Sequence, residues 1–284
     1  MEQNITVKIE RNAVFLVQDI VYDQVSVNMH IMNRPMRLDL LRPMSEGPVP
    51  LIMWIEGGAW KNLNKSFALP ELQYLAEAGY AVASVEYRQS NEGKFPAGLK
   101  DVQAAVRYLT QEAERFQLRM DKIGLMGRSA GGNLATLIAA AFAGSQASPA
   151  PGGAALPGIC GVVSMYAISD FSQYYEVMEE RRRKEFLQNI EAYLGGKPSE
   201  KKAVAKKASP ALQVCPGMAP HLLLQGTNDP IVPPEQTRIL YEALLSKEVP
   251  AELYMLEGAG HGTTEFDQPA IKELILKFWE KRFS

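Results

Sequence analysis

The chain has 284 residues, of which 46% are hydrophobic and 22% charged, and its formal net charge is −2. This length and composition are typical of one large globular domain with a sizeable core, and we expect a single domain over residues 1–284. The absence of a basic stripe argues against a nucleic-acid partner. No apolar run approaches the ~20 residues that span a membrane.

Strand and helix patterns alternate along the chain after a β-rich lead-in over residues 5–41. Apolar runs predict parallel-type strands near 51–55, 81–85, 122–126, 161–165, 221–225 and 251–255. Helical patterns lie near 67–78, 98–116, 131–143, 234–246 and 268–281. This order predicts an α/β fold, with a mostly parallel, doubly wound sheet and helices on both faces.

A Gly-Gly loop follows the strand near 51–55, in the stretch Ile55-Glu-Gly-Gly-Ala-Trp60. Because glycine permits peptide planes to turn inward, the backbone N–H groups of Gly58 and Ala59 are candidates for an oxyanion hole, together with the N–H of Ala130. The alternative is a plain hairpin or βα turn.

A Gly-x-Ser-x-Gly motif lies between a predicted strand and a predicted helix. The apolar run at 123–126 ends in Gly127-Arg-Ser-Ala-Gly131, and the helical pattern starts at once. This is the context of a nucleophile elbow, a tight turn that holds a serine above the sheet at the positive end of the helix. Ser129 is therefore the candidate nucleophile, and the alternative is an ordinary Gly-rich turn.

A long segment separates the strand near 161–165 from the strand near 221–225, about 55 residues in all. Apolar positions with helical spacing at 174–178 and 186–194 make residues 166–208 a candidate cap insertion. Tyr166 and Tyr174, with Trp60, are candidate lining residues of a substrate pocket, although aromatic residues at helical spacing are also typical of a core.

Three histidines, His30, His221 and His261, are candidates for a general base. His30 precedes the α/β repeat, and His221 opens a strand, whereas ligands of open α/β sheets bind outside the carboxyl ends of strands. We expect a capping or surface role for His221. His261 lies in a Gly-rich loop directly after the last strand, so it is the candidate base by elimination and by position.

A carboxylate is expected to orient this histidine, and Asp229 lies in the turn that follows the strand near 221–225. Asn-Asp-Pro is also an ordinary turn former, and Glu257 and Asp267 are rivals because they are near His261 in sequence. The chain order of serine, aspartate and histidine favours Asp229, since it is the order of α/β-hydrolases and differs from that of chymotrypsin and subtilisin.

These motifs carry a resemblance to a known family. The chain resembles the α/β-hydrolase-fold serine esterases, most of all the bacterial feruloyl/acetylxylan-esterase and carboxylesterase group, and more distantly the hormone-sensitive-lipase-like esterases. The matching stretches are 36–43, 55–60, 87–90, 95–97 with Asp101, 127–132, 209–210, 226–233 and 257–261. The resemblance implies an α/β-hydrolase fold with a small cap insertion, with Ser129, Asp229 and His261 as catalytic triad and the amides of Gly58, Ala59 and Ala130 as oxyanion hole.

The resemblance also implies an enzyme, a serine carboxylic-ester hydrolase that acts through an acyl-enzyme. Its expected partner is a small-molecule ester with a short acyl chain, an acetylated sugar or a feruloyl group. An amidase, formamidase or peptidase on the same fold is an alternative, because the same groups serve amides. A non-catalytic binding protein that kept the fold is the other alternative.

Cofactors and metals are not expected. No Cys/His cluster has the spacing of metal ligands, and no Gly-x-Gly-x-x-Gly follows a strand. Two cysteines, Cys160 and Cys215, cannot form a disulfide framework. Unpaired thiols in a reducing cytosol, and hence a cytoplasmic protein, are the expectation, whereas removal of a native signal peptide would mean a secreted one. The oligomeric state does not follow from the sequence.

Two positions depart from the family pattern: Glu56, where the relatives usually have histidine, and Arg128, where they often have an acidic residue. The strands before these residues are neighbours in the α/β-hydrolase order, so their ends lie roughly 5 Å apart. We expect the two side chains to pair or to share hydrogen bonds beneath the oxyanion loop. The alternative is Arg128 in solvent and Glu56 bound to local amides.

Overall fold

The structure, a computed structural model, describes residues 3–27, 32–145, 156–181 and 183–284, which contain eight strands and eight α-helices. The strands are β1 (Val14–Val27), β2 (Met32–Pro43), β3 (Val49–Ile55), β4 (Ala81–Val85), β5 (Leu118–Arg128), β6 (Gly158–Met165), β7 (His221–Gly226) and β8 (Ala251–Leu256). The helices are α1 (Leu69–Glu77), α2 (Ala97–Gln111), α3 (Ala130–Ser145), α4 (Phe171–Glu180), α5 (Lys184–Leu194), α6 (Lys202–Ala208), α7 (Pro234–Ser246) and α8 (Pro269–Phe283).

The eight strands form one sheet in the order β1-β2-β4-β3-β5-β6-β7-β8. The first two pairings, β1 with β2 and β2 with β4, are antiparallel, and all the others are parallel. Ile55 of β3 lies opposite Gly127 of β5. The loops after β3 and β5 therefore leave the sheet side by side, at the edge where the loops after β7 and β8 also emerge.

Helices cover both faces of the sheet, as predicted, because its strands alternate between two cores. In β3, Leu51, Met53 and Ile55 belong to the core that also contains residues of α2, α3 and α7. Ile52 and Trp54 belong to the other core, with residues of α1 and α8. The predicted parallel strands and the helix over 234–246 are confirmed.

Two predicted boundaries are wrong. The β-rich lead-in was expected from residue 5, but β1 begins at Val14, opposite the last residue of β2, so residues 5–13 pair with no strand among the described residues. The helix expected over 98–116 ends at Gln111. The amide of Leu118 donates to the carbonyl of Ala113, and this turn leads the chain into β5 instead of extending the helix.

The expected surface role of His221 is also wrong, because this residue is 1% exposed. It begins β7, which lies between β6 and β8, and its Nδ1 donates to the carbonyl oxygen of Ala219 at 2.8 Å. Burial lowers the pKa of His221 to about 4. His30 lies outside the described residues. Among the described helices, none is both long and apolar enough to cross a bilayer.

Candidate active site

The Gly-x-Ser-x-Gly motif forms a sharp turn between β5 and α3. Ser129 is the single residue between the two elements, and its φ of 52° lies in the left-handed region. A Cβ on Gly131 would lie 1.8 Å from the carbonyl oxygen of Ile55, and one on Gly127 would lie 2.5 Å from that of Gly131. Only glycine fits at both positions, and this close packing holds the serine in a conformation that is otherwise strained.

The structure brings Ser129, His261 and Asp229 together from three separate loops. The Nε2 atom of His261 lies 3.0 Å from Ser129 Oγ, and its Nδ1 lies 2.7 Å from Asp229 Oδ2. The side chain of Asp229 is fully buried, and that of His261 is 14% exposed. The rivals Glu257 and Asp267 are both exposed, and neither has a hydrogen bond to His261 in the described part of the chain.

Backbone and side-chain donors orient the carboxylate of Asp229. Its Oδ1 accepts from the amides of Ile231 and Val232 at 2.8 Å each, and its Oδ2 accepts from Gln225 Nε2 at 3.2 Å. The amide oxygen of Gln225 in turn accepts from Thr237 Oγ1 at 2.7 Å. Sequence reasoning missed Gln225, although a polar residue within the apolar run of β7 was a signal for it.

The loop after β3 has a left-handed backbone conformation, which residues other than glycine rarely adopt. Gly58, Ala59 and Trp60 have consecutive positive φ values of 108°, 53° and 56°. A Cβ on Gly58 would lie 2.0 Å from the carbonyl oxygen of Asn62, so glycine is required there. The amides of Gly58 and Ala59 have no acceptor among the described residues. The amide of Ala130 belongs to the first turn of α3, where N–H groups have no partner within the helix.

Glu56 and Arg128 form the expected pair. Arg128 Nε lies 2.6 Å from Glu56 Oε1, and a terminal nitrogen of the guanidinium lies 3.2 Å from Oε2. Glu56 is 6% exposed, and the side chain of Arg128 is 16% exposed. Burial alone would lower the pKa of the Arg128 guanidinium, but its hydrogen bonds to Glu56 and the negative charges of Glu56 and Glu71 raise it overall. The prediction of a pair is confirmed.

The three aromatic residues predicted to line a pocket are all nearly buried: Trp60 at 3%, Tyr166 at 3% and Tyr174 at 2%. Trp60 stacks on Tyr193 of α5 with ring centroids 4.2 Å apart. Tyr166 lies edge-on against His261 at 4.7 Å. Tyr174 donates its hydroxyl to the carbonyl of Ile231 at 3.1 Å. Their contact with a substrate stays a prediction.

Metal ligands do not cluster in the described residues. Cys160 and Cys215 are free and half-buried, and burial raises the pKa of the Cys160 thiol to about 12. A thiol with so high a pKa is a poor nucleophile near neutral pH.

The sheet order and the turn at Ser129 define the α/β-hydrolase fold. Residues 38–244 match the family BD-FAE, and the chain belongs to that family. The esterase LipC of Mycobacterium tuberculosis is 28% identical over an alignment of 230 residues, and the match covers 78% of this chain and 55% of LipC. The chain spans about half the length of the curated relatives it matches.

Solved structures share the fold over most of the chain. A truncated carbohydrate esterase from gut microbiota superposes with a TM-score of 0.72 at 21% identity, covering 97% of this chain and 98% of that one. An acetyl ester-xyloside bifunctional hydrolase from Caldicellulosiruptor lactoaceticus has a TM-score of 0.74 at 23% identity, covering 87% of this chain and 88% of that one. At these sequence identities, the similarity to the two solved structures shows that the fold is shared.

Proposed function

We propose that the chain is a carboxylic-ester hydrolase in which Ser129 is the nucleophile. The observation that carries this proposal is the line of hydrogen bonds from Asp229 Oδ2 to His261 Nδ1, at 2.7 Å, and from His261 Nε2 to Ser129 Oγ, at 3.0 Å. Membership of the BD-FAE family and the names of the curated relatives, which include an esterase and a probable carboxylic ester hydrolase, support it.

The reaction proceeds in two acyl transfers. His261 takes the hydroxyl proton of Ser129 as the oxygen attacks the ester carbonyl, and Asp229 stabilises the imidazolium that forms. His261 then gives the proton to the leaving alcohol, which leaves an acyl-serine. Water attacks this acyl-enzyme with His261 again as base, and the acid is released as Ser129 recovers its proton.

The amides of Gly58, Ala59 and Ala130 donate hydrogen bonds to the carbonyl oxygen and stabilise the negative charge that develops on it. Donors that point at this position before the reaction need no rearrangement during it, and removing a single such donor in other serine hydrolases lowers the rate about 10²–10³-fold. The amides of Gly58 and Ala59, which have no acceptor in the described part of the chain, support this role.

The proposed substrates are small esters, among them short-acyl esters, acetylated sugars and feruloyl esters. The structural neighbours named as a carbohydrate esterase and an acetyl ester-xyloside hydrolase support the sugar-linked choice. We propose that residues 166–208, which contain α4, α5 and α6, are a cap that limits the size of the acyl or alcohol group.

The test is the activity of Ser129→Ala on p-nitrophenyl acetate, which we expect to fall by several orders of magnitude. Ser246→Ala, which changes an exposed hydroxyl at the end of α7, is the matched control and should keep wild-type activity. A fluorophosphonate should label the wild type and not Ser129→Ala. Near-wild-type turnover by Ser129→Ala would refute the assignment.

A comparison of p-nitrophenyl acetate with p-nitroacetanilide tests the choice of ester over amide. The two substrates share the acyl group, but the anilide requires protonation of a poorer leaving group. We expect a much higher kcat/KM on the ester. A higher value on the anilide would instead support an amidase.

A further inference from the structure

A charged cluster lies beneath the loop that presents the proposed oxyanion donors, and the two-step mechanism does not use it. Glu56 immediately precedes that loop, and Arg128 immediately precedes Ser129. A buried carboxylate at this place would repel a forming oxyanion unless a cation neutralised it. The presence of Glu56 therefore needs an explanation.

We propose that Glu56 and Arg128 are positioning residues for the oxyanion loop. Arg128 holds the Glu56 carboxylate in the orientation that binds the Gly57 amide, and its positive charge shields the oxyanion from that carboxylate. The inference rests on the proposed function, since it assigns a task within that same site.

Both carboxylate oxygens of Glu56 accept hydrogen bonds. Its Oε1 accepts from the Gly57 amide at 2.8 Å and from Arg128 Nε at 2.6 Å. Its Oε2 accepts from Trp54 Nε1 at 3.2 Å and from a terminal nitrogen of Arg128 at 3.2 Å. All four partners are N–H donors. Glutamine could accept at only one of its two terminal atoms and would leave some of these donors unpaired.

The Gly57 amide joins this cluster to the nucleophile. A Cβ on Gly57 would lie 2.9 Å from the carbonyl oxygen of Arg128 and 3.1 Å from Ser129 Cβ, so the loop and the turn are in close contact here. On the other side, Tyr87 donates its hydroxyl to the carbonyl of Glu56 at 2.8 Å. A shift of the Glu56 side chain would therefore move the peptide of Gly57 and, with it, the amides of Gly58 and Ala59 relative to Ser129.

Arg128 is itself held from the far side. Its remaining terminal nitrogen lies 2.8 Å from Glu71 Oε2 in α1. The guanidinium also lies over the rings of Trp54 and Phe67, with its central carbon 5.6 Å and 5.5 Å from their centroids. A planar group with five donors can make all these contacts at once, whereas the point charge of lysine cannot. The cluster thus depends on arginine in particular.

The experiment measures kcat and KM on p-nitrophenyl acetate, and the melting temperature, for Arg128→Gln, Glu56→Gln and the double variant. Arg34→Gln is the matched control. Arg34 lies on strand β2 and, like Arg128, binds two glutamates, Glu86 at 2.5 Å and Glu92 at 3.0 Å. The inhibition constant of a trifluoromethyl ketone, whose serine adduct carries an oxyanion, is measured for each variant.

We expect Arg128→Gln to lower kcat about 100-fold and Glu56→Gln about tenfold, with KM within about threefold, since misplaced oxyanion donors affect the transition state and not the bound substrate. The double variant should be more active than Arg128→Gln, because it removes the uncompensated carboxylate. The inhibitor should weaken in parallel with kcat. Arg34→Gln should lower the melting temperature with kcat within about twofold.

Arg128→Lys keeps the positive charge, and it tests the positioning role of Arg128 if Arg128→Gln does not fold. We expect it to lose about tenfold in kcat, because lysine cannot hold both carboxylate oxygens. Additive losses in the cycle, unchanged inhibitor binding, or an equal loss in Arg34→Gln would overturn the inference. A wild type that fluorophosphonate does not label, or an active Ser129→Ala, would instead refute the proposed function, so the two failures are distinguishable.

Discussion

The carboxylate of Asp229 accepts hydrogen bonds from two backbone amides and from Gln225, in addition to its contact with His261. With Oδ1 occupied by the amides of Ile231 and Val232, the other oxygen is directed at the imidazole. In the proposed mechanism, this arrangement holds His261 in the tautomer whose Nε2 accepts the proton of Ser129.

We expect Asp229→Asn to lower kcat on p-nitrophenyl acetate about 10³–10⁴-fold, because an amide at this position favours the wrong histidine tautomer. Glu257→Gln, at an exposed position next to the same histidine loop, is the control and should change kcat less than about twofold. If Glu257→Gln were the more damaging variant, the assignment of Asp229 would be wrong.

His221 couples folding to pH at a second residue, away from the proposed triad. Burial lowers its pKa from 6.5 to about 4 in the folded chain. Between these values the unfolded chain binds a proton that the folded chain does not bind. The free energy of unfolding is therefore unaffected by the titration of this residue above about pH 6.5. It decreases as the pH falls towards about 4, in total by about 3 kcal/mol.

Urea unfolding of the wild type and of His221→Gln between pH 4 and pH 8 tests this linkage. We expect the variant to be less stable at neutral pH, because it alters a packed, hydrogen-bonded side chain. Its free energy of unfolding should nevertheless decrease less than that of the wild type from pH 6.5 to pH 4. Parallel pH profiles for the two proteins would contradict the assignment to His221.

At the scale of elements, the contact between β3, β5 and the start of α3 determines where Ser129 lies. The first turn of α3 approaches the end of β3 so closely that Gly131 contacts the carbonyl of Ile55. Farther along the same helix, no atom of another element in the described residues lies within 4 Å of the position that a Cβ on Gly144 would take. A side chain at position 131 would therefore collide with the end of β3, whereas one at position 144 of the same helix would not.

We expect Gly131→Ala to destabilise the chain by at least about 2 kcal/mol and to lower kcat, because a methyl group there must push α3 away from β3. Gly144→Ala, the matched control, should stabilise it by up to about 1 kcal/mol through helix propensity. Thermal unfolding and turnover on p-nitrophenyl acetate measure both effects. A neutral Gly131→Ala would contradict the tight packing of the turn.

At the scale of the whole molecule, one side chain of α3 holds both ends of the segment 166–208. The Nδ2 atom of Asn133, which is fully buried, donates to the carbonyl of Ile168 at 2.9 Å and to that of Ala208 at 3.2 Å. From α7, Gln236 Oε1 accepts from the amides of Ser169 and Asp170 at 2.9 Å each. Both ends of the proposed cap are thus attached to the helices that pack on the sheet.

Asn133→Ala should cost about 1–3 kcal/mol of stability, because two buried carbonyl groups lose their donor. We also expect faster hydrogen exchange in α4, α5 and α6 than in α2 or α8 of the same variant. Asn12→Ala, which removes an exposed hydrogen bond from the side-chain amide to the carbonyl of Glu77, serves as control. Uniform acceleration across all helices would mean that the segment does not open separately from the rest.

The elements and the placement of Ser129, Asp229 and His261 could be predicted from the sequence alone, because both are properties of short stretches of chain. Apolar runs of strand length and helical spacing depend on neighbouring residues, and α7 lies where its pattern predicted it, at Pro234–Ser246. Each of the three site residues lies in the turn or loop that follows a strand, and parallel strands end at one edge of the sheet.

Apart from the expected pair of Glu56 and Arg128, only the tertiary structure decided which side chains meet across the sheet and between layers. Glu71 joins Arg128 from α1, Tyr193 of α5 stacks on Trp60, and Gln225 supports Asp229 from within β7. His221 was expected in a capping or surface role because it begins a strand and so lies away from the carboxyl-end edge of the sheet, but the neighbouring strands bury it. Such contacts depend on sheet order, register and helix packing, which arise from the whole chain, so no single position specifies both partners of a contact.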